Sequence, residues 1–302
     1  MKTFTRISLI LAGVLAGTGI LLCILASVMG GGIRELLHTG VTYGNWHIGL
    51  DGIYYSEADG ETEGDSSVSY TYETAGISNL QIDMEAAEVY VEEGSRTDAV
   101  VVHMYRGREQ DYKGAVTEDG TLTLAYNRSG AWSDRSNAEF LIELPSGLAL
   151  SDVRLEFDAA KAQLSLADMR CEKLTVTVDA ASAILEAFTV TGETIVLADT
   201  GNAELSGGAY QDLEIDCDMG NVSVEGAADG SITAKSSMGN VALTLAGNAA
   251  AYRYELSCDM GELTVNGRDY SSISADYEPQ NAGAEHTASL SCDMGSLELT
   301  IQ

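Results

Sequence analysis

From Leu80 onward, apolar and polar residues alternate with a period of two. Leu80-Gln81-Ile82-Asp83-Met84 sets the pattern, which resumes at Val89-Tyr90-Val91. It returns through Val100 to Met104, Leu122 to Tyr126 and Phe140 to Leu144. Such alternation puts successive side chains on opposite faces of a β-strand. Turn residues such as Glu118-Asp119-Gly120 separate the runs. No sustained 3.6-residue period appears beyond the first 30 residues. The pattern predicts an all-β region over 76–302, a meander with a first repeat over 76–150 and stacked repeats over 151–302.

The repeats are visible in an acidic residue that precedes each tight turn. Asp158-Ala159-Ala160, Asp179-Ala180-Ala181 and Asp199-Thr200-Gly201-Asn202 lead to Asp218-Met219-Gly220-Asn221 and Ser237-Met238-Gly239-Asn240. Asp259-Met260-Gly261-Glu262 and Asp293-Met294-Gly295-Ser296 complete the series. Successive spacings are 21, 20, 19, 19, 22 and 34 residues. The last gap is widened by an insertion, Arg268 to His286, that holds Pro279. Glu85-Ala86-Ala87-Glu88 fits the same template ahead of the array. Each unit reads strand, tight turn, strand, return, with a single apolar face that only stacking can bury. The expected architecture is a β-solenoid or β-roll of about 20-residue repeats, with equivalent strands about 4.8 Å apart. Gly at the turn suits a corner with positive φ, and Ala160 and Ala181 mark corners of another kind.

Ahead of the β-region, Lys2 and Arg6 precede an uncharged stretch, Ile7 to Val28. As a helix it would be roughly 33 Å long, against about 30 Å of bilayer core. It exceeds the apolar region of a cleavable secretory signal, so residues 1–30 read as a cytoplasmic stub with one transmembrane helix. Cleavage after Val28-Met29-Gly30 is the competing reading. The basic flank places the N-terminus in the cytoplasm and the remainder outside the cell membrane. Residues 31–75 read as an extracellular spacer, with Tyr43, Trp46, Tyr54 and Tyr55 before an acidic run from Glu57 to Ser67.

This order of anchor, aromatic-bearing spacer and meander, with Leu144-Pro145-Ser146-Gly147 leading into Met-Gly-Asn-Val type corners, resembles the bacterial adhesin family of uncharacterised β-strand-repeat domains. The resemblance covers roughly residues 75–302. It implies a membrane-attached surface protein and carries over no catalytic residues.

Charge narrows the partners. The chain has 16 basic and 46 acidic residues, a formal net charge of −30 and a pI near 4.2. Such a chain is repelled by phosphate backbones, which excludes nucleic acid. Residues 151–302 hold seven basic and 25 acidic side chains, a field that also repels anionic glycans. No catalytic triad, nucleophile elbow or zinc-protease motif is present, so no enzyme is expected. The stacked acidic residues admit two readings. Asp before a turn accepts backbone N–H bonds, or Asp216, Asp218, Asp259 and Asp293 contribute oxygens to Ca²⁺; the turn role is favoured and no cofactor is assigned.

Cys217, Cys258 and Cys292 share one inward position with Ser236 and read as buried thiols, with a Cys258–Cys292 disulfide as the alternative. Met219, Met238, Met260 and Met294 also share a position, and continued alternation assigns them to the core. The functional expectation is a non-enzymatic surface adhesion module that uses exposed strand faces or the 268–286 loop, on a protein or glycan partner. The alternative is a cell-envelope scaffold or sensor accessory acting on membrane partners in cis.

Overall fold

The alternation becomes strands wherever it is uninterrupted. Leu80, Ile82 and Met84 point inward along the strand Asn79–Glu85, and Leu213, Ile215 and Cys217 do so along Asp212–Cys217. The computed structural model describes residues 67–127, 138–166, 169–271 and 283–302 in full, together with the backbone of 41–43, 46–49 and 52–55. The predicted transmembrane helix over 7–28 lies outside the described residues. Among the described residues no helix is long and apolar enough to cross a membrane.

Two units separate, 1–64 and 65–302. In the first, Val41–Tyr43, Trp46–Gly49 and Gly52–Tyr55 form an antiparallel three-stranded sheet within the segment read as spacer. The second is all-β and solenoid-like. It includes Val68–Glu73, which pairs antiparallel with Ala99–Tyr105 although its sequence carries no run of buried residues.

Each rung consists of one strand, a corner, and a second strand, and rungs stack in parallel register. Asp158 pairs with Glu85 on one side and Asp179 on the other, so the early Glu85-Ala86-Ala87 corner belongs to the same stack. In spatial order the strand pair 121–126 and 138–145 comes first, followed by the rungs 79–94, 149–165, 170–186, 189–206, 212–228, 232–246, 286–301 and 252–265. Chain order and stacking order therefore part at both ends. The rung 79–94 lies between the strands 121–126 and 138–145 on one side and 149–165 on the other. The last rung, 286–301, lies between 232–246 and 252–265. The insertion after residue 268 carries the chain back to that slot. The segment Arg268–Asp269 itself folds as a hairpin strand on Glu262–Val265.

Inward residues of both ladders merge into one core. One of its columns runs Leu80, Val153, Leu174, Thr194, Leu213, Ile232, Ala288 and Tyr254. Thr194 is the exception in kind: it is fully buried and its hydroxyl has no hydrogen-bond partner. At the N-terminal end the ladder closes with aromatic packing, where the Phe140 ring lies 5.1 Å from Tyr126 and 5.7 Å from Tyr112.

Candidate functional site

The repeated corner is the chain's most regular feature, and its backbone explains its composition. In the Met-Gly corners the amides of the two residues before Gly and of the one after it reach back to the preceding rung. Asp218 N–H donates to Ala198 O at 2.9 Å, Met219 N–H to Asp199 O at 2.7 Å and Asn221 N–H to Gly201 O at 3.0 Å. The same bonds recur from Met238 to Asp218 O, Met294 to Ser237 O and Met260 to Asp293 O, each 2.7 Å. Corners this close leave no room for a side chain at Gly. A Cβ on Gly220 would lie 2.0 Å from Gly201 O, and one on Gly295 would lie 2.1 Å from Gly239 O. Close approach, rather than the positive φ expected from the sequence, is what requires Gly here.

Positive φ occurs instead in the corners that lack Gly. Ala86, Ala159 and Ala180 have φ of 52°, 48° and 49°. Their amides point the other way along the stack: Ala86 N–H donates to Asp158 O and Ala159 N–H to Asp179 O. Thr200 joins the two kinds of corner. Its hydroxyl accepts from Ala180 N–H at 3.2 Å and donates to Asp179 Oδ1 at 3.3 Å.

The inward position before the four Met-Gly corners carries Ser or Cys, where the other rungs have Met84, Phe157, Val178 and Ala198. Ser236 Oγ donates to Gly239 O at 2.7 Å, and Cys258 Sγ to Gly261 O at 3.3 Å. Cys217 and Cys292 occupy the same column, and Cys258 and Cys292 are register partners on adjacent rungs. Cys171, Cys217, Cys258 and Cys292 are all buried free thiols. Burial first, then Cys258, pushes the Cys292 thiol up to about 11, and burial with Asp152 nearby pushes Cys171 up to about 12.

The four Met side chains are not in the core, contrary to the expectation from alternation. Met219, Met238, Met294 and Met260 are 50, 51, 54 and 71% exposed and follow one another on adjacent rungs in that order. The corner places two consecutive residues outward, Asp218 and Met219, before Gly220 turns in, so the period of two breaks there.

Of the acidic candidates, Asp293 and Asp259 are neighbours on adjacent rungs, and the four do not form one group. Asp216 lies on the strand face between Leu197 and Lys235. Asp218 stands at the corner between the Asp199 and Ser237 positions, whereas Asp293 follows Ser237 and Asp259 ends the row. Among the described residues no three His, Cys, Asp or Glu side chains are grouped so as to hold a metal ion.

A second candidate arises where the rung 79–94 enters the stack. Thr121, Asn79 and Asp152 are register neighbours across three rungs, as are Thr123, Gln81 and Arg154. With Thr117 and Asp119 they line a cleft of about 350 Å³. Hydroxyl hydrogen bonds from Thr117 and Thr121 hold the Asp119 carboxyl below its ordinary value. Arg154 lies 3.4 Å from Asp152 Oδ2, while Asp152 Oδ1 is buried without a partner. Sequence reasoning missed this cleft because its residues come from three separated segments.

No curated protein matches the sequence. Among solved structures, a protein described as a putative adhesin from Parabacteroides distasonis ATCC 8503 shares 11% identity, with 78% of this chain and 97% of that chain covered at a TM-score of 0.40. A putative adhesin from Bacteroides fragilis NCTC 9343 shares 13%, with 78% and 97% covered and a TM-score of 0.39. A putative cell adhesion protein from Clostridium sporogenes ATCC 15579 shares 9%, with 79% and 100% covered and a TM-score of 0.33. The family model described as Toastrack DUF4097 matches residues 77–299, nearly the whole stack of rungs, and the chain belongs to that family.

Proposed function

We propose that the protein is a membrane-anchored, non-enzymatic surface binding module, held by residues 7–28 with its β-unit outside the cell, and that the strand-face cleft takes a neutral glycan. The observation that carries this reading is the cleft's polar lining. Amides of Asn79 and Gln81, hydroxyls of Thr121 and Thr123, the Asp152 carboxylate and the Arg154 guanidinium lie side by side across three strands, with the Asp119 carboxylate in the adjoining turn. That is a dense mixture of donors and acceptors suited to hydroxyl groups. A net charge of −30 disfavours polyanionic ligands. The likeness to proteins described as putative adhesins accords with the reading without fixing the ligand.

The test is crosslinking on intact cells, paired with binding of purified neutral wall glycan to the full-length protein and to a D119N/R154A variant. Capture of glycan that weakens at least tenfold in the variant supports the proposal. Capture unchanged by the variant, or capture of membrane proteins of the same cell in place of glycan, overturns it, the latter in favour of a scaffold acting in cis.

A further inference from the structure

We infer that the ridge Met219–Met238–Met294–Met260 is a thioether ladder that binds a soft monovalent cation of the Cu(I) class. The side chains at these four corners are not needed to build them. The same position is filled by Ala86, Ala159, Ala180 and Thr200 on other rungs, with the stack intact. Exposure of 50 to 71% shows that packing does not consume them. Among the described residues, four of the six large apolar side chains left exposed are these Met, the others being Val116 and Leu197. Leu, Ile or Val would serve an apolar strip equally well, and none occupies the ridge. What distinguishes Met from them is its polarisable sulfur, a donor that soft thioether sites use to select Cu(I).

The spacing suits the ion. Each Met backbone N–H donates a hydrogen bond of 2.7 Å to a carbonyl of the preceding corner, so the ladder repeats with the strand separation of about 4.8 Å. A zinc–thiolate bond is about 2.3 Å, and a soft ion bound to thioether sulfur is taken to sit at about the same distance. Two sulfurs projecting in parallel therefore stand about twice that length apart, which a linear two-coordinate ion spans without moving a rung. The corner carboxylates Asp218, Asp293 and Asp259 beside the ridge attract cations, yet as hard oxygen donors they compete poorly for a soft one. The buried thiols lie on the inner side of the corner, beneath Gly239 and Gly261, and do not share this surface. The inference is independent of the glycan reading.

The experiment titrates Ag(I), a redox-inert probe of the same softness, into full-length protein carrying ¹³C-methyl methionine. Expected is a joint shift of the four ridge methyl signals with saturation. M219L/M238L/M260L/M294L keeps the apolar bulk and should bind Ag(I) at least tenfold more weakly with an unchanged circular dichroism spectrum. Single variants sharpen the test. M238L and M294L remove a sulfur with two neighbours and should weaken binding more than M219L or M260L, which remove an end. Ridge signals that stay in place while Ag(I) is taken up would assign the metal to the thiols and overturn the inference. Equal affinity in the quadruple variant would overturn it too.

Discussion

Replacing Gly220 by Ala is expected to destabilise the stack far beyond an ordinary Gly→Ala change. The new Cβ would lie 2.0 Å from Gly201 O and 3.1 Å from Gly201 C, against an ordinary contact of 3.4 Å or more. Relief requires the two corners to part by more than 1 Å. That separation lengthens three bonds at once: Asn221 N–H to Gly201 O at 3.0 Å, Met219 N–H to Asp199 O at 2.7 Å and Asn221 Nδ2 to Asn202 Oδ1 at 2.6 Å. Overpacking typically costs about 1–3 kcal/mol. Weakening bonds worth about 1 kcal/mol each brings the total to about 3–5 kcal/mol, a large part of the 5–15 kcal/mol typical of a domain. Gly76→Ala serves as the control, because Gly76 has φ +89° and no atom within 4 Å of its added Cβ, so only backbone strain of about 1–2 kcal/mol applies. Urea unfolding followed by circular dichroism reads both. A G220A loss no greater than that of G76A would refute the close-approach account of the corner.

Three further outcomes follow from the same geometry. Thr194→Val removes a buried hydroxyl without a partner at nearly constant volume, and should raise stability by about 1–2 kcal/mol, seen as a melting temperature higher by a few degrees. Ala180→Gly relieves a φ of 49° and should cost nothing or stabilise by up to about 1 kcal/mol in the same urea assay, the reverse of a usual helix or strand glycine. The raised thiols of Cys171 and Cys292 favour their neutral forms in the fold, so their contribution is complete below the unfolded thiol value near 9. It is lost as pH rises from about 9 towards 11 and 12. Stability measured across that window should fall by up to about 1.4 kcal/mol per pH unit for each thiol, and Cys171→Ala should flatten the curve.

The sequence made the rungs legible because alternation and turn spacing are local properties. Leu213, Ile215 and Cys217 announce their face unaided, and Glu85-Ala86-Ala87 announces a corner. The Met positions misled because counting by two continues through Met219, whereas the chain bends at Asp218 and spends two residues outside. Gly at the corner was recognisable, yet its reason was not, since the obstructing atom, Gly201 O, belongs to another rung. Neighbour identity is also hidden: rungs of nearly equal sequence do not encode that 286–301 lies beside 232–246. For the same cause the cleft, made by Asn79, Thr121 and Asp152 meeting across rungs, left no trace in any one segment.

The slotting of both terminal rungs inward has a mechanical consequence. In a stack wound in chain order, the last rung touches one neighbour, and tension on the nearby terminus peels it off across a single interface. Here the last rung is held on both sides, by eleven register pairs to 232–246 and eleven to 252–265. Force applied near Gln302 must shear both interfaces together or deform the stack around them. Between successive rungs such as 212–228 and 232–246 the polypeptide runs on directly, whereas 286–301 sits between two rungs that precede it in the chain and cannot leave across a single interface. At this end the ladder behaves less like a coil spring than like a clasp.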